Sequence, residues 1–361
     1  MLFAAHPDDE SLACGVILQR AVGAGAEIRV VYATDGENNP WPQRALERKW
    51  RLNQMDRERW GKLRRAEAIA ALAVLGVDQS AAIFLGWPDQ KLSEVLMFES
   101  RGALEQLAAL VADWAPTHLL VPSISDTHPD HNALGVMTRL ISGDYFSGGA
   151  KRSMWSYVVH GRSGAFFDHA ETIEPSALET AAKLRAISCH QTQLKLSRKR
   201  FFEHAERPEC FGREMIAADG AIASISRDRQ CLWIKVERSA KLIQTQRARL
   251  FVVGSDESGG MRCVGTHVPC SASRIALVDL ATNEPVAMAE YDGGIFSGTL
   301  SIPLDEFSPN GALFVKLERR GWFFDEAGWV EVPSAERTEA VAPEDSFLAS
   351  KKSDELAAVH G

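Results

Sequence analysis

Short apolar runs alternate with amphipathic stretches over residues 1–200 of the chain. The runs are rich in aliphatic and aromatic residues and have the length of buried strands, which we place at residues 2–5, 27–34, 82–87, 117–122 and 154–159. Between them, apolar positions recur at helical spacing, which predicts helices at residues 11–18, 63–76, 102–114, 132–140 and 175–194. This alternation predicts a Rossmann-like, doubly wound α/β fold with a mostly parallel sheet.

The hydrophobic pattern changes in the C-terminal part of the chain. Short strands are predicted there at residues 232–236, 249–253, 274–278, 296–302, 313–317 and 329–332, with turn-forming residues between them. This arrangement is typical of an antiparallel β-sandwich. The charged, weakly apolar C-terminus predicts a flexible tail with one short helix. We therefore expect an α/β domain over residues 1–220, a β-rich accessory domain over 221–335 and a tail over 336–361.

The composition is that of an ordinary soluble globular protein, with 45% hydrophobic and 24% charged residues in 361. The formal net charge of −8 argues against nucleic acid as a partner. No apolar stretch approaches the ~20 residues of a transmembrane helix. The six cysteines lack CxxC spacing, which favours reduced thiols and a cytoplasmic location. Only five residues precede His6, so we expect the natural start codon to lie upstream.

Two turns that follow predicted strands carry the residues best suited to catalysis. They read His-Pro-Asp-Asp-Glu at residues 6–10 and Asp-Thr-His-Pro-Asp-His at residues 126–131. His6 and Asp9, three residues apart, can reach one metal ion, whereas Asp8 is aimed differently and stays free. Imidazole and carboxylate ligands suit Zn²⁺, although iron or manganese would also accept them. His131 is the best candidate for a third ligand.

The stretches AHPDDE (residues 5–10) and HPDH (residues 128–131) resemble the hallmarks of the LmbE/PIG-L family of zinc-dependent de-N-acetylases, without substitution. The resemblance covers residues 1–200 and identifies the α/β domain as LmbE/PIG-L-like and catalytic. It implies that His6, Asp9 and His131 are the zinc ligands. It also implies that Asp8 is the general base that acts on zinc-bound water.

The same resemblance implies roles for other polar residues. His128 would stabilise the oxyanion or protonate the leaving amine, and Asp130 would orient His128. Family members carry an arginine and an aspartate that contact the sugar, and Arg64 and Asp89 match those places. Arg65 is a competing candidate for the arginine. A surface ion pair is an equally good interpretation of the arginine position.

Beyond residue 180 the match is looser. Lys183 and Ala186 resemble the family's Lys-x-x-Ala, and Thr192-Gln193 stands where Ser-Gln is usual. His190 is better interpreted as a core or helix-surface residue than as a ligand. Glu10 is interpreted as a helix-terminus or supporting residue.

Two aromatic segments remain open. The connection that contains Trp41, Trp50 and Trp60 has two equally good interpretations. It is either a wall or lid of the substrate site or a buried aromatic loop. Trp322, Phe323 and Phe324, beside Arg319 and Arg320, could stack on sugar rings, although aromatic residues in a sandwich more often fill the core.

The predicted activity is removal of an acetyl or other acyl group from an N-acetylated amino sugar or glycoconjugate, by a zinc-dependent deacetylase that hydrolyses a linear amide. Two alternatives remain: a metal-dependent hydrolase of a non-sugar amide or ester, and a non-catalytic carbohydrate-binding protein in which the β region binds sugar.

Overall fold

The computed structural model of the chain describes residues 1–147, 152–161, 167–214, 222–237, 248–258, 260–318 and 328–334. One sheet contains β1 (Leu2–Ala4), β2 (Val30–Thr34), β3 (Ala82–Trp87), β4 (His118–Pro122), β5 (Ser153–Tyr157), β6 (Phe167–Ile173) and β7 (Glu209–Glu214). Its strand order is β3-β2-β1-β4-β5-β7-β6. The first five strands are parallel, and β7 runs antiparallel to both β5 and β6. The predicted mostly parallel sheet is therefore confirmed.

Helices cover both faces of this sheet. They are α1 (Asp9–Ala13), α2 (Gly15–Gly23), α3 (Pro40–Glu47), α4 (Gln54–Val74), α5 (Leu92–Phe98), α6 (Ser100–Trp114), α7 (Pro129–Ser147), α8 (Ala177–Cys189) and α9 (Gln191–Glu206). Among the helices of the described ranges, none combines the length and apolar character needed to cross a lipid bilayer.

The central strand β1 shows why the sheet is covered on two sides. Successive side chains of a strand point to opposite faces. Leu2 and Ala4 lie in the core formed with α2, α4 and α8, whereas Phe3 and Ala5 lie in the core formed with α5, α6 and α7. A strand buried on both faces needs an unbroken apolar run, which is the pattern seen in the sequence.

Two helices differ from their predicted boundaries. Helix α4 begins at Gln54 rather than at residue 63, because Asn53 and Asp56 form a capping box in which each side chain accepts the other's backbone N–H, at 2.9 and 3.0 Å. The helix predicted at residues 175–194 is divided into α8 and α9 at His190, whose φ of −80° and ψ of 58° are not helical.

The C-terminal part is antiparallel β, as predicted. Its strands are β8 (Ile222–Arg227), β9 (Cys231–Glu237), β10 (Arg249–Ser255), β11 (Met261–His267), β12 (Ser273–Asp279), β13 (Pro285–Gly293), β14 (Ser297–Pro303), β15 (Leu313–Glu318) and β16 (Val330–Glu331). They form one sheet in the order β16-β15-β10-β11-β12-β13-β14-β9-β8. The sheet curls around one apolar core, and Arg227 of one edge strand donates to the Pro333 carbonyl beyond the other at 2.8 Å.

The division of these strands into two sheets of a sandwich stays a prediction, as do the three domain boundaries. The aromatic segment at residues 322–324, its neighbours Arg319 and Arg320, and the predicted tail at 336–361 lie outside the described residues.

The curled sheet packs against the α/β part of the chain. Phe251, Phe314 and Trp329 belong to the same apolar core as residues of α5 and α7. The Trp329 backbone N–H also donates to the Ile124 carbonyl at 2.8 Å. The last strand of the sheet therefore lies against the loop that leads into the second His/Asp motif.

Candidate metal centre

The first motif occupies the turn between β1 and α1, at the carboxyl end of the central strand. Asp8 has a φ of 142°, a region that residues with a Cβ seldom adopt. Neighbours hold this strained turn in place: Glu10 accepts the Asp8 backbone N–H at 3.0 Å. Arg64 donates to the Pro7 carbonyl at 2.7 Å and to the Asp8 carboxylate at 3.0 Å. Strain of this kind is most often kept at functional sites.

Asp126 organises the second motif, in the turn between β4 and α7. Its carboxylate accepts the backbone N–H groups of His128, Val159 and His160 at 2.8, 2.9 and 3.0 Å, and it lies 3.2 Å from His131 Nδ1. Burial raises the pKa of Asp126, but His131 and the other donors outweigh burial and lower that pKa to about 2. The carboxylate thus fixes both the loop and the orientation of His131. The sequence analysis places Asp126 in the motif but assigns it no role.

The two turns meet in space. His6 Nδ1 lies 3.1 Å from His131 Nε2. One Asp9 carboxylate oxygen, Oδ1, lies 3.4 Å from His131 Nε2, and the other, Oδ2, lies 3.9 Å from His6 Nδ1. Ligand atoms about 2.1 Å from a tetrahedral zinc ion are roughly 3.4 Å apart. The three side chains predicted as ligands are therefore neighbours in the structure, and their joint binding of one ion stays a prediction.

The hydrogen bonds on the far side of each ring support this assignment. His6 Nε2 lies 3.2 Å from carboxylate oxygens of both Asp89 and Asp130, as His131 Nδ1 does from Asp126. Because carboxylates only accept, these nitrogens carry the ring protons, and neutral rings then direct lone pairs at each other. Two lone pairs beside a carboxylate require a cation between them.

Burial lowers the pKa values of His6 and His131, but the surrounding carboxylates outweigh burial and raise both above the ordinary histidine value. The chemistry of the donor set therefore fits a divalent metal.

His6 also belongs to two other groups whose ligand atoms lie within 4.8 Å of one another: His6, His128 and His131, and His6, Asp89 and Asp130. Asp89 and Asp130 face His6 Nε2, the nitrogen opposite to the one that faces His131. One neutral imidazole has a single lone pair, so it cannot serve both sides at once. The carboxylate hydrogen bonds of His6 Nε2 favour the side shared with His131.

Asp8 lies beside these residues with its side chain buried. Burial raises the pKa of Asp8 to about 6, although the Arg64 guanidinium acts in the opposite direction. A carboxylate with its pKa in this range can accept a proton near neutral pH and release it again.

Asp130 was predicted to orient His128, but its carboxylate contacts other groups. The Asp130 carboxylate lies on His6 Nε2 and accepts the backbone N–H groups of Gln90 and Leu92, at 2.7 and 3.0 Å. The Asp130 backbone N–H faces His128 Nδ1 at 3.2 Å. Asp130 thus orients His6 through its side chain and His128 through its main chain.

His128 is held as a neutral ring. Burial lowers its pKa well below the ordinary value, and the nearby His6, His131 and Arg200 lower it further. Since Nδ1 accepts from the Asp130 amide, the ring proton is assigned to Nε2. His128 is therefore equipped to donate a hydrogen bond.

The two arginine candidates have different environments. Arg64 is buried and donates to the Gly36 carbonyl at 2.8 Å as well as to the first motif. Gly36 has a φ of +62°, and a Cβ there would lie 1.7 Å from the Arg64 guanidinium, so only glycine fits. Arg65 instead forms a bidentate pair with Asp35, at 2.6 Å for both bonds. The surface ion pair considered for the arginine position is therefore formed by Arg65.

Asp89, the predicted sugar-binding aspartate, lies in the centre of the site. One carboxylate oxygen accepts the Asn38 backbone N–H at 2.7 Å, and the other lies 3.2 Å from His6 Nε2. Burial raises the pKa of Asp89, but the bond to His6 outweighs burial and keeps that pKa below the ordinary value.

His160 was missed by the sequence analysis. Its ring lies 5.3 Å from that of His128 and 5.0 Å from that of His131, centroid to centroid. Arg200 lies 3.2 Å from its Nδ1. His160 follows β5 without any motif around it, so only the convergence of strand ends could have indicated it.

His190 and Glu10 lie behind the first motif. His190 Nε2 is 3.0 Å from Glu10 Oε1, and both side chains are buried. Glu10 in turn accepts the Asp8 backbone N–H. The His190–Glu10 pair therefore stabilises the turn that contains Asp8.

A pocket of about 510 Å³ opens above these residues, between α3 and α9. Its lining includes His6, Asp8, Arg64, Asp89 and His128. A second cavity of about 600 Å³, lined mainly by apolar residues, lies at the opposite end of the strands near Met1. The smaller pocket is lined by buried imidazole, carboxylate and guanidinium groups, so it is the candidate active site.

Comparisons with known proteins agree with the motifs. The family described as PIG-L, GlcNAc-PI de-N-acetylase, matches residues 1–142. The 1D-myo-inositol 2-acetamido-2-deoxy-alpha-D-glucopyranoside deacetylase of Mycobacterium avium (strain 104) is 31% identical over 141 residues, which are 35% of this chain and 45% of that protein. The enzyme of the same name from Mycobacterium sp. (strain KMS) is 33% identical over 183 residues, or 44% and 54% of the two chains.

The chain thus spans about half the length of these curated relatives. Among solved structures, a deacetylase from the teicoplanin biosynthesis pathway aligns with a TM-score of 0.45 and 16% identity, over 58% of this chain and 96% of the other. The family match, the sequence relatives and the two intact motifs lead to one conclusion: residues 1–142 of this chain are a PIG-L (LmbE-like) domain.

Proposed function

We propose that this protein is a zinc-dependent hydrolase that removes the acetyl group from an N-acetylated amino sugar or glycoconjugate. The observation that carries the proposal is the approach of His6 Nδ1 to His131 Nε2 at 3.1 Å, with the Asp9 carboxylate 3.4 Å from His131. The names of the sequence relatives describe deacetylation of a 2-acetamido sugar, which supports this substrate class.

His6, Asp9 and His131 would hold the ion, and their nitrogen and oxygen donors suit zinc. A bound zinc ion would lower the pKa of water toward ~7 and polarise the acetamide carbonyl. Asp8 accepts the proton of the attacking water, since its raised pKa suits a base that works near neutral pH. Arg64 keeps the Asp8 carboxylate directed into the pocket.

His128 donates its Nε2–H to the oxyanion that forms as water attacks. This role suits a ring that its surroundings keep neutral, whereas protonation of the amine would need an imidazolium. The leaving amine therefore receives its proton from Asp8, which took one from water. Water and the acetamide are thus converted to acetic acid and a free amine: one proton of water reaches the amine through Asp8, and the other stays on the acid until it ionises to acetate in solution.

Arg64 and Asp89 line the pocket floor, and we propose that both contact the sugar. A buried carboxylate that accepts from hydroxyl groups discriminates against analogues that lack them. The β-rich region, interpreted as a sandwich over residues 221–335, would act as an accessory domain to a catalytic domain over residues 1–220. The six free thiols support a cytoplasmic location for the enzyme.

The test is acetate release from glycosides of N-acetylglucosamine, measured before and after chelation and after addition of zinc, iron or manganese. We expect turnover that chelation abolishes and zinc restores. Preferential hydrolysis of non-sugar amides or esters in the same panel would assign the site to another hydrolase. Sugar binding by a protein that neither retains metal nor releases acetate would assign it to a binding protein.

A further inference from the structure

Trp41 is exposed at the mouth of the active-site pocket. It lines the pocket together with His6 and Asp8, yet 59% of its surface is accessible. His6 and Asp8, which line the same pocket, are only 7% and 6% accessible and form its floor. The pocket therefore runs from a charged, buried floor to an indole ring at its entrance.

The position of Trp41 is fixed by its neighbours rather than by burial of its ring. Pro40 and Pro42 flank it in the first turn of α3, where proline restrains the backbone. Helix α3 packs against α9. An indole left in solvent forgoes most of the free energy that burial would supply, so stability does not explain a large aromatic side chain here.

The connection between β2 and β3 contains three tryptophans, and the sequence allows them to be either buried or part of a substrate wall. Trp60 is 2% accessible and belongs to the core, whereas Trp41 and Trp50 are 59% and 73% accessible. Both exposed rings lie 5.1 Å from the Arg44 guanidinium. Of these two, Trp41 lines the pocket and Trp50 does not, as the described residues define it.

The wall of the pocket opposite Trp41 comes from α9. Phe201 presents a mostly buried ring there, and Gln193 and Arg200 present hydrogen-bond donors. A volume of about 510 Å³ is in the middle of the range for pockets that enclose drug-sized ligands. An acetamido sugar on the floor would leave the space between Trp41 and α9 unfilled.

We propose that Trp41 forms a second subsite, in which its indole stacks on the ring of the group linked to the amino sugar. This inference rests on the proposed deacetylase function and adds that the substrate is a glycoside with a ring-shaped aglycone. The apolar faces of Trp41 and Phe201 suit the flat face of such a ring, and the polar groups of Gln193 and Arg200 suit its edge substituents.

The experiment compares the phenyl and methyl glycosides of N-acetylglucosamine, in both anomers, with the full-length wild type, Trp41→Ala, Trp41→Phe and Trp50→Ala. We expect Trp41→Ala to lower kcat/KM about tenfold for the phenyl glycoside, mainly through KM, and to leave the methyl glycoside within about twofold. Trp41→Phe should restore most of the loss. Trp50→Ala removes the other exposed indole, which lies at the same distance from Arg44, and it should change kcat/KM for neither substrate.

Calorimetric binding of the corresponding phenyl and methyl amino glycosides, the amine products, separates the subsite from the chemistry. Equal effects of Trp41→Ala on phenyl and methyl compounds, or equal effects of Trp41→Ala and Trp50→Ala, would overturn the subsite even if acetate is released. Selective loss of phenyl amine binding in Trp41→Ala would support the subsite even if no acetate is released, in which case only the proposed function fails.

Discussion

The two facing imidazoles owe their charge state to carboxylates from distant parts of the chain. Asp89 and Asp130 accept hydrogen bonds from the Nε2–H of His6, and Asp126 accepts one from the Nδ1–H of His131. These outer partners decide which nitrogens are free for a metal. At this scale the sequence could indicate the histidines, because they stand in motifs, but not the partners, because each partnership depends on the fold.

Asp8→Asn tests the proposed base. The amide keeps the size of the side chain but cannot accept the proton of water, so we expect kcat to fall roughly 100- to 10,000-fold. The metal content should stay near that of the wild type, because Asp8 is not proposed as a ligand. Acetate release and metal analysis of the same preparation give the two readings.

Asp35→Asn is the matched control, since Asp35 also pairs with an arginine of α4, Arg65, at 2.6 Å. It should leave kcat unchanged within about twofold, as expected for loss of a partly exposed ion pair. Full activity of Asp8→Asn, or loss of its metal, would remove Asp8 from the role of base.

Asp126→Asn tests the partner of His131. An amide accepts less strongly than a carboxylate, and it offers one acceptor oxygen for the donors that now converge on two. We expect metal affinity to fall about 10- to 100-fold, as for other outer partners of ligating histidines. Competition with a chelator of known affinity measures this change.

Asp256→Asn provides the comparison for that experiment. Asp256 likewise accepts backbone N–H groups, from Ser258 and Gly260 at 2.9 and 2.8 Å, but it lies in a turn of the curled sheet. Its substitution should leave metal affinity unaltered. Unchanged affinity in Asp126→Asn would show that the carboxylate serves the loop alone.

At the scale of elements, the strands of the parallel sheet were predicted well because burial on both faces leaves an apolar run that few other structures share. Helix ends were predicted less well. The start of α4 depends on the Asn53 and Asp56 cap, which polar residues around it obscure in the sequence. The break at His190 has no Pro or Gly signal, and its ring pairs with Glu10 from the other end of the domain.

A buried ion pair joins two of these elements. Lys183 of α8 donates to Glu209 at 2.6 Å, and Glu209 also accepts the Val16 and Ile17 backbone N–H groups at the start of α2, at 2.8 and 3.0 Å. Lys183→Met leaves the Glu209 charge buried without its cation. We expect the free energy of unfolding in urea to fall by about 3–5 kcal/mol.

Arg20→Met is the control for Lys183→Met, since Arg20 links the same two helices through an exposed pair with Glu179 at 2.8 Å. It should lower the free energy of unfolding far less than Lys183→Met does, because this pair is exposed to solvent and screened. Adding Glu209→Gln to Lys183→Met should recover part of the stability, because the uncompensated charge is then removed. A double variant less stable than Lys183→Met would mean that the Glu209 cap of α2 outweighs the charge pair.

At the scale of the molecule, the curled sheet and the α/β part share a core and a hydrogen bond, so the two parts are coupled. Composition and strand pattern indicated the presence of the β region but not its position. That position depends on where Phe314 and Trp329 meet α5 and α7, which no local pattern encodes. The contact point lies close to the second motif, because Trp329 bonds to Ile124, two residues before Asp126.

Gly328 makes this contact possible and allows it to be tested. Its φ is +61°, and a Cβ there would lie 2.4 Å from the Ile124 carbonyl oxygen and 2.9 Å from Ser125 Cα. Gly328→Val must therefore displace the loop that carries Asp126, and with it the seat of His131. We expect weaker metal binding, by about tenfold or more, together with a lower Tm.

Gly25→Val is the control, because it separates the strain of a positive φ from the steric clash with Ile124. Gly25 has a φ of +71°, but a Cβ there meets nothing within 4 Å. Both variants place a β-branched residue at positive φ and should lower Tm, since that conformation is strained for any residue with a Cβ. Only Gly328→Val should weaken metal binding in the chelator competition. If both variants lose the same Tm and neither loses metal affinity, the curled sheet does not position the metal loop, and its contact with Ile124 contributes to stability alone.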